Sequence, residues 1–368
     1  MELTEVRRAS GTGGRIIGID VARAIAMLGM VIVHYAWPDG SGGILEFTAL
    51  AATGRSMPLF ILLGGVGAVI LTERSATPDR DLAVRAAILL PLGFLLQELT
   101  TWIQIILQSY SLFFLLAIGL RRLSGRALLA LAGLVTAVGA WTYQVVGPRL
   151  PELTWVGDLL ADPLTLVWSL LFNGYYPFFP VGAFFILGMW LARLDLRSTR
   201  VAGVMAVTGT VVGVGTAWLA QRWVAAGGYE AEVFDPSDSG PVVFSTARLL
   251  DVAGHSQMPA WVISSTGTAV AVMGICLLVA PRLRVWMGPL VAVGQLALTF
   301  YAFQAILVRF TPHPETTPLV EEYGYVAAIY VGFTVFAVAW KRRLGPGPLE
   351  ALLRLRWGRR PAHEERTT

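Results

Sequence analysis

Apolar residues in this chain come in blocks too long and too continuous for a soluble core. A helix crossing the hydrocarbon layer needs about 20 predominantly apolar residues. Blocks of that kind lie at 16–36, 57–72, 82–98, 102–120, 127–146, 176–192, 201–221, 259–280, 286–308 and 324–340. They predict an all-α integral membrane protein, a polytopic bundle of about ten transmembrane helices. The stretch from Asp158 to Tyr175 is also apolar but is short and interrupted by Pro163 and Asn173, which predicts an interfacial or re-entrant segment.

The polar stretches divide the rest. Residues 1–14 form a polar N-terminal segment, 15–341 a single membrane domain, and 342–368 a basic tail. In that tail Leu349, Leu352, Leu353 and Trp357 are spaced for an amphipathic helix at the membrane surface. The longest connection, 222–258, carries Glu230, Glu232, Asp235, Asp238 and Asp251 around the turn-forming run Asp235 to Gly240.

Charge gives the orientation. With both termini cytoplasmic, the inner segments hold 22 of the 28 Lys and Arg residues. The outer side holds Arg55, Arg149, Arg222, Arg248 and Arg309, and Arg23 lies within the first span. Every connection then obeys the positive-inside rule, which a missed or extra helix would invert downstream. The net charge of +4 is accounted for by loops facing anionic lipid, so no nucleic-acid partner is implied. The composition agrees: 55% hydrophobic, 14% charged and a mean hydropathy of +0.64, against about a quarter charged in soluble domains. Cys276 is the sole cysteine, which excludes a disulfide framework and a thiolate metal site. Gly209 and Gly213 form one small-residue pair, which leaves helix packing within the chain or a homodimer as its use.

The first span holds the candidate chemistry. Arg23 and His34 are eleven residues apart, about three turns and about 16 Å along a helix, so both side chains share one face. Asp20, Met27 and Met30 lie on or near the same stripe, and Asp20 and Arg23 are spaced to pair. A mid-bilayer arginine costs about 2.5–3.5 kcal/mol even on insertion scales. Two readings account for it: a structural ion pair with an interfacial histidine, or a path through the protein. In the second, inner cations hold an anionic co-substrate and an outer histidine acts as general base. His34, His255 and His313 are all placed outward but lack metal-ligand spacing, so no metal is expected; His363 lies in the tail.

These residues resemble a known superfamily. The Arg-x10-His spacing of Arg23 and His34 is similar to that of the acyltransferase-3 membrane O-acyltransferases. The stretch Arg15 to His34 resembles the opening of the YeiB-like bacterial family, which is related to the heparan-α-glucosaminide N-acetyltransferase. Further similar stretches are Tyr176-Pro-Phe-Phe-Pro180 with Gly182, His255-Ser256 followed by Gly267 to Gly274, Val293 to Tyr301 with Gln304, and Gly347-Pro348-Leu349-Glu350. Gln295 and Phe300 stand where that family pattern has Arg and Asn, and Ala24 where it has Gly.

The resemblance implies an acyl-CoA-dependent transferase, acetyl-CoA being the first candidate donor. Donor phosphates would meet Arg23, with Arg15 or Arg85 in support and Asp20 paired beside them. The pantetheine arm would pass Met27 and Met30. His34 would deprotonate a hydroxyl or amine, or form an acyl-imidazole. His255, Tyr301 and Gln304 would orient the carbonyl or the acceptor, an extracytoplasmic carbohydrate, glycolipid or small molecule. The protein would be a multi-pass protein of the bacterial inner (plasma) membrane. A transporter or lipid flippase using the same stripe, and a non-catalytic membrane partner or sensor, are the competing readings.

Overall fold

The computed structural model describes residues 14–150, 162–227 and 244–353. Among them there are helices and turns but no strand. In chain order the helices are α1 (Ile17–Tyr35), α2 (Gly43–Ala52), α3 (Ser56–Glu73), α4 (Pro78–Leu99), α5 (Leu107–Leu120), α6 (Gly125–Trp141), α7 (Pro163–Trp168), α8 (Phe178–Leu191), α9 (Thr199–Ala225), α10 (Pro259–Val279), α11 (Gly288–Gln295), α12 (Ala297–Leu307), α13 (Leu319–Arg343) and α14 (Pro348–Leu352).

The starts of these helices are legible in local chemistry. Ser124 accepts a hydrogen bond from the Ala127 N–H, and Ser198 one from the Val201 N–H, so each satisfies a donor that a helix N-terminus leaves open. Proline opens α4, α7, α10 and α14, where its missing N–H costs nothing.

Among the described residues seven helices are long and apolar enough to cross a membrane, or nine if each of two bent pairs is one span. The protein is a polytopic all-α membrane protein. Nine of the ten predicted spans correspond to these elements. The block at 102–120 is the exception: α5 begins only at Leu107 and has 14 residues. Just before α5, side chains take backbone groups that a helix would pair internally. Ile105 N–H donates to Gln97 Oε1 and Ile106 N–H to the Tyr301 hydroxyl. The short helix α2, which leaves Ile44, Phe47 and Leu50 exposed, was not predicted.

The two bent pairs are the other departures. The segment Pro163–Asn173 meets α8 at 67°, so the described part of the predicted interfacial stretch is a short helix ending in a π-turn. α11 and α12 meet at 76° across Leu296. That break exposes the N-terminus of α12, and Glu350 fills it: its carboxylate accepts from the N–H groups of Leu298 (2.8 Å) and Thr299 (3.1 Å) and from the Thr299 hydroxyl (2.6 Å). The acidic part of the predicted loop at 230–238, residues 1–13, Asp158 to Ala161 and the tail from Arg354, including Trp357, lie outside the described residues.

α1 is the central helix. α3, α10, α11 and α13 all pack against it, and its Asp20, Met27, Met30, Val31 and Tyr35 are buried. α9 packs along α10. A methyl group on Gly209 would meet the Ala271 N at 2.5 Å, and one on Gly213 the Thr268 N at 2.8 Å. The small-residue pair is therefore used within the chain.

Candidate active site

At the Arg23 end of α1, Asp20 is 2% exposed and accepts from two arginines. Arg15 reaches it through Nε and, at 2.9 Å, through Nη2, and Arg23 through Nη1 at 3.3 Å. Gln295 Nε2 adds a fourth donor at 3.3 Å. The expected Asp20–Arg23 pair is present, with Arg15 completing it. Two guanidinium groups against one carboxylate leave one net positive charge at this end. Arg23 lies against α3, where a methyl group on Gly67 would sit 3.1 Å from Arg23 Nη2. Arg15, 47% exposed, stands at the rim, whereas Arg23 is 25% exposed and deeper.

At the other end of the same helix, His34 Nδ1 is 2.9 Å from Oε1 of Gln304 on α12. With a carbonyl oxygen as partner, Nδ1 carries the proton and Nε2 keeps its lone pair. Gln304 is fully buried; its backbone carbonyl accepts from the Tyr35 hydroxyl, and its Nε2 has no hydrogen-bond partner among the described residues. Trp102 Nε1 donates to the His34 carbonyl at 3.4 Å.

His34 lines a small cavity of about 30 Å³ together with Met30, Ser56, Met57, Ile106, Tyr176, His255 and Tyr301. That volume holds a water or two, since one needs about 10–15 Å³, so a larger substrate requires the walls to part. Tyr301 is 2% exposed; its oxygen accepts from the Ile106 N–H at 3.1 Å and its ring stacks on Phe60 with centroids 6.2 Å apart. No acceptor takes the Tyr301 hydroxyl proton among the described residues.

His255 reaches the cavity from the loop before α10. Its backbone has φ 64° and that of Gln257 φ 61°, the left-handed region that side-chain-bearing residues rarely adopt. The loop is held by a close approach to the α2–α3 corner. Gly54, at φ 68°, lies directly against Gly254, and its carbonyl accepts from Trp261 Nε1 (3.0 Å) and the Ser265 hydroxyl (3.1 Å). The His255 ring lies 5.4 Å from that of Tyr175 and 6.1 Å from those of Tyr176 and Trp261. Burial pushes the His255 imidazole down to about 4, and the neighbouring His34 acts in the same direction.

Of the expected site residues, His34, His255 and Tyr301 line one cavity and Gln304 holds His34 from behind. Arg15, Asp20 and Arg23 form a separate cluster about three turns away. His313 is elsewhere, edge-on to Trp37 (5.0 Å) and Trp102 (4.8 Å). Sequence reasoning missed Trp102, Ile106 and Gly54, whose parts depend on contacts with residues more than 60 positions away.

The heparan-alpha-glucosaminide N-acetyltransferase catalytic family matches residues 15–222, more than half of the chain. A second family, described as protein of unknown function (DUF418), matches residues 241–359. No curated protein matches the chain. These matches and the helical fold define an acetyltransferase-like membrane protein, in agreement with the YeiB-like resemblance. The chain belongs to the heparan-alpha-glucosaminide N-acetyltransferase catalytic family. The site draws on both matched segments: His34 and the arginine cluster come from the first, His255, Tyr301 and Gln304 from the second.

Proposed function

We propose that the protein moves an acyl group, acetyl first among the candidates, from cytoplasmic acyl-CoA to a hydroxyl or amine of an acceptor on the opposite side of the membrane. The acceptor class we favour is a sugar or glycoconjugate. The membrane is the bacterial inner membrane, with both termini cytoplasmic. The observation that carries this reading is the single continuous helix α1, which holds a net cationic cluster at Arg23 and, about 16 Å further along the same face, a histidine with its Nδ1 proton engaged. An extended pantetheine arm spans a distance of that order.

The donor's phosphates meet Arg23, with Arg15 at the rim. Asp20 keeps the two guanidinium groups oriented instead of touching the donor. The thioester carbonyl comes to rest at the cavity beside His34, past Met27 and Met30. His34 Nε2 takes the proton of the acceptor's O–H or N–H as that atom attacks the carbonyl carbon. The tetrahedral intermediate collapses with cleavage of the carbon–sulfur bond, and the thiolate takes the proton back from Nε2. Gln304 holds the tautomer and the ring plane throughout, the part a second residue plays for a base histidine. No step in this sequence calls for a metal.

The reading is tested by incubating purified protein with acetyl-CoA and an acceptor panel of amino sugars and sugar alcohols while following free thiol. Turnover lost in His34→Ala, with a raised KM for acetyl-CoA in Arg23→Ala, supports it. A wild-type protein that moves a sugar across vesicles without consuming acetyl-CoA would establish the transporter reading.

A further inference from the structure

Two histidines reach one cavity, and only one of them has a partner that explains its position. His34 is held by Gln304. The Nδ1 of His255 is buried and has no hydrogen-bond partner among the described residues. A buried polar atom left unpaired costs about 1–3 kcal/mol. The backbone that carries it is also held in a rarely used conformation, at residue 255 and again at residue 257. Strain and an unpaired polar atom at the same residue are what a site looks like when a ligand supplies the missing partner. In the same cavity, Tyr301 likewise retains a hydroxyl proton with no acceptor among the described residues.

We propose that His255 is a second catalytic histidine: as a neutral imidazole it donates its Nδ1–H to the carbonyl oxygen of the acyl thioester and stabilises the oxyanion as the acceptor attacks. This deepens the transferase reading and rests on it. The roles divide cleanly. His34 Nε2 accepts the acceptor's proton and returns it to the departing thiolate. His255 keeps its own proton and supplies a hydrogen bond that strengthens as negative charge grows on the carbonyl oxygen. For this, His255 must remain uncharged when its neighbour becomes an imidazolium. The burial of its ring among Tyr175, Tyr176 and Trp261, together with its low affinity for a second proton, ensures that. A neutral histidine acting as electrophile has precedent in enzyme chemistry. The loop carrying His255 lies in the segment matched by the family of unknown function, so this role assigns that segment a share of the chemistry.

The test uses two substitutions chosen for the backbone. Glycine adopts φ 64° without strain, so His255→Gly removes the imidazole without distorting the loop. Asparagine tolerates the same conformation and places an amide N–H where Nδ1 stood. Each full-length variant is purified, its thermal transition is compared with wild type, and thiol release from acetyl-CoA is followed. The expected result is a fall in kcat of about 100- to 1,000-fold for His255→Gly with the KM for acetyl-CoA nearly unchanged. His255→Asn should recover at least about tenfold of that loss, and its kcat should keep the wild-type pH profile, since His34 sets it. A His255→Gly enzyme within about threefold of wild type overturns the proposal. So does a loss confined to the acceptor's KM, which would make His255 an acceptor-binding residue. Wild-type protein that releases no thiol overturns the transferase reading and this proposal with it; active wild type with an indifferent His255 overturns this proposal alone.

Discussion

Gln304 Oε1 lies 2.9 Å from His34 Nδ1, joining residues 270 positions apart in the chain. The contact fixes which nitrogen of His34 faces the cavity with a lone pair. Gln304→Leu should therefore lower kcat by about tenfold to a hundredfold, the scale of a misaligned catalytic group, with little change in the KM for donor. Gln304→Glu places a carboxylate against Nδ1 and stabilises the imidazolium. It should preserve turnover and move the acidic limb of the kcat profile to higher pH. Steady-state kinetics across pH 5–9 check both; unchanged profiles in both variants would show that the contact does not orient the base.

The Asp20 cluster makes a prediction that separates binding from folding. Arg23→Ala should raise the KM for acetyl-CoA more than it lowers kcat, because a phosphate contact far from the carbonyl binds ground state and transition state alike. Asp20→Asn should act on stability, because it leaves two guanidinium groups without their buried partner. Breaking a fully buried pair costs about 3–5 kcal/mol, and solvent at Arg15 (47% exposed) and Arg23 (25% exposed) lowers that figure here. Thermal unfolding in detergent should show a much lower Tm for Asp20→Asn than for Arg15→Ala, since Arg15 is half-exposed and Arg23 still covers the carboxylate.

Glu350 is a clasp at a broken helix. Its carboxylate satisfies two backbone N–H groups and a hydroxyl at the start of α12, whose next turns carry Tyr301 and Gln304. Glu350→Ala should lower stability by about 1–3 kcal/mol and lower activity with it, whereas Glu350→Gln should be milder because one acceptor oxygen remains. Equal Tm values for all three proteins would refute the clasp.

His255 gives the fold a defined pH dependence. Its folded-state affinity for a proton is depressed from the usual 6.5 to about 4. Its contribution to stability is thus fully present above about pH 6.5 and is lost as pH falls through 4, because the unfolded chain binds the proton more readily. Between those values wild-type Tm should decline, and His255→Asn should show a shallower decline over the same window. Parallel curves would mean that His255 titrates normally.

Much of this was legible in the sequence for a simple reason. Lipid demands long apolar helices, so seven spans among the described residues, or nine if each bent pair is one span, could be read from apolarity alone, and the Arg23–His34 face follows from local periodicity on one helix. The rest depends on contacts between distant residues. The 76° break at Leu296 falls inside an apolar block, directly after Gly294 and Gln295, and the amides it opens are capped by Glu350, 52 and 51 positions away. The apolar run at 102–106 reads as helix, but its last two amides, of Ile105 and Ile106, are taken by Gln97 and Tyr301. Resemblance pointed to His255 and Gln304, yet their different parts came only from geometry: Gln304 pairs with His34, while the Nδ1 of His255, on a strained loop, has no partner among the described residues.

The most direct measurement is thiol release from acetyl-CoA by purified wild-type protein and by His34→Ala, each with a thermal transition to show that the variant is folded. Wild type should turn over with an acceptor present, and the variant should lose at least about a hundredfold. A folded His34→Ala protein that turns over at the wild-type rate would contradict it.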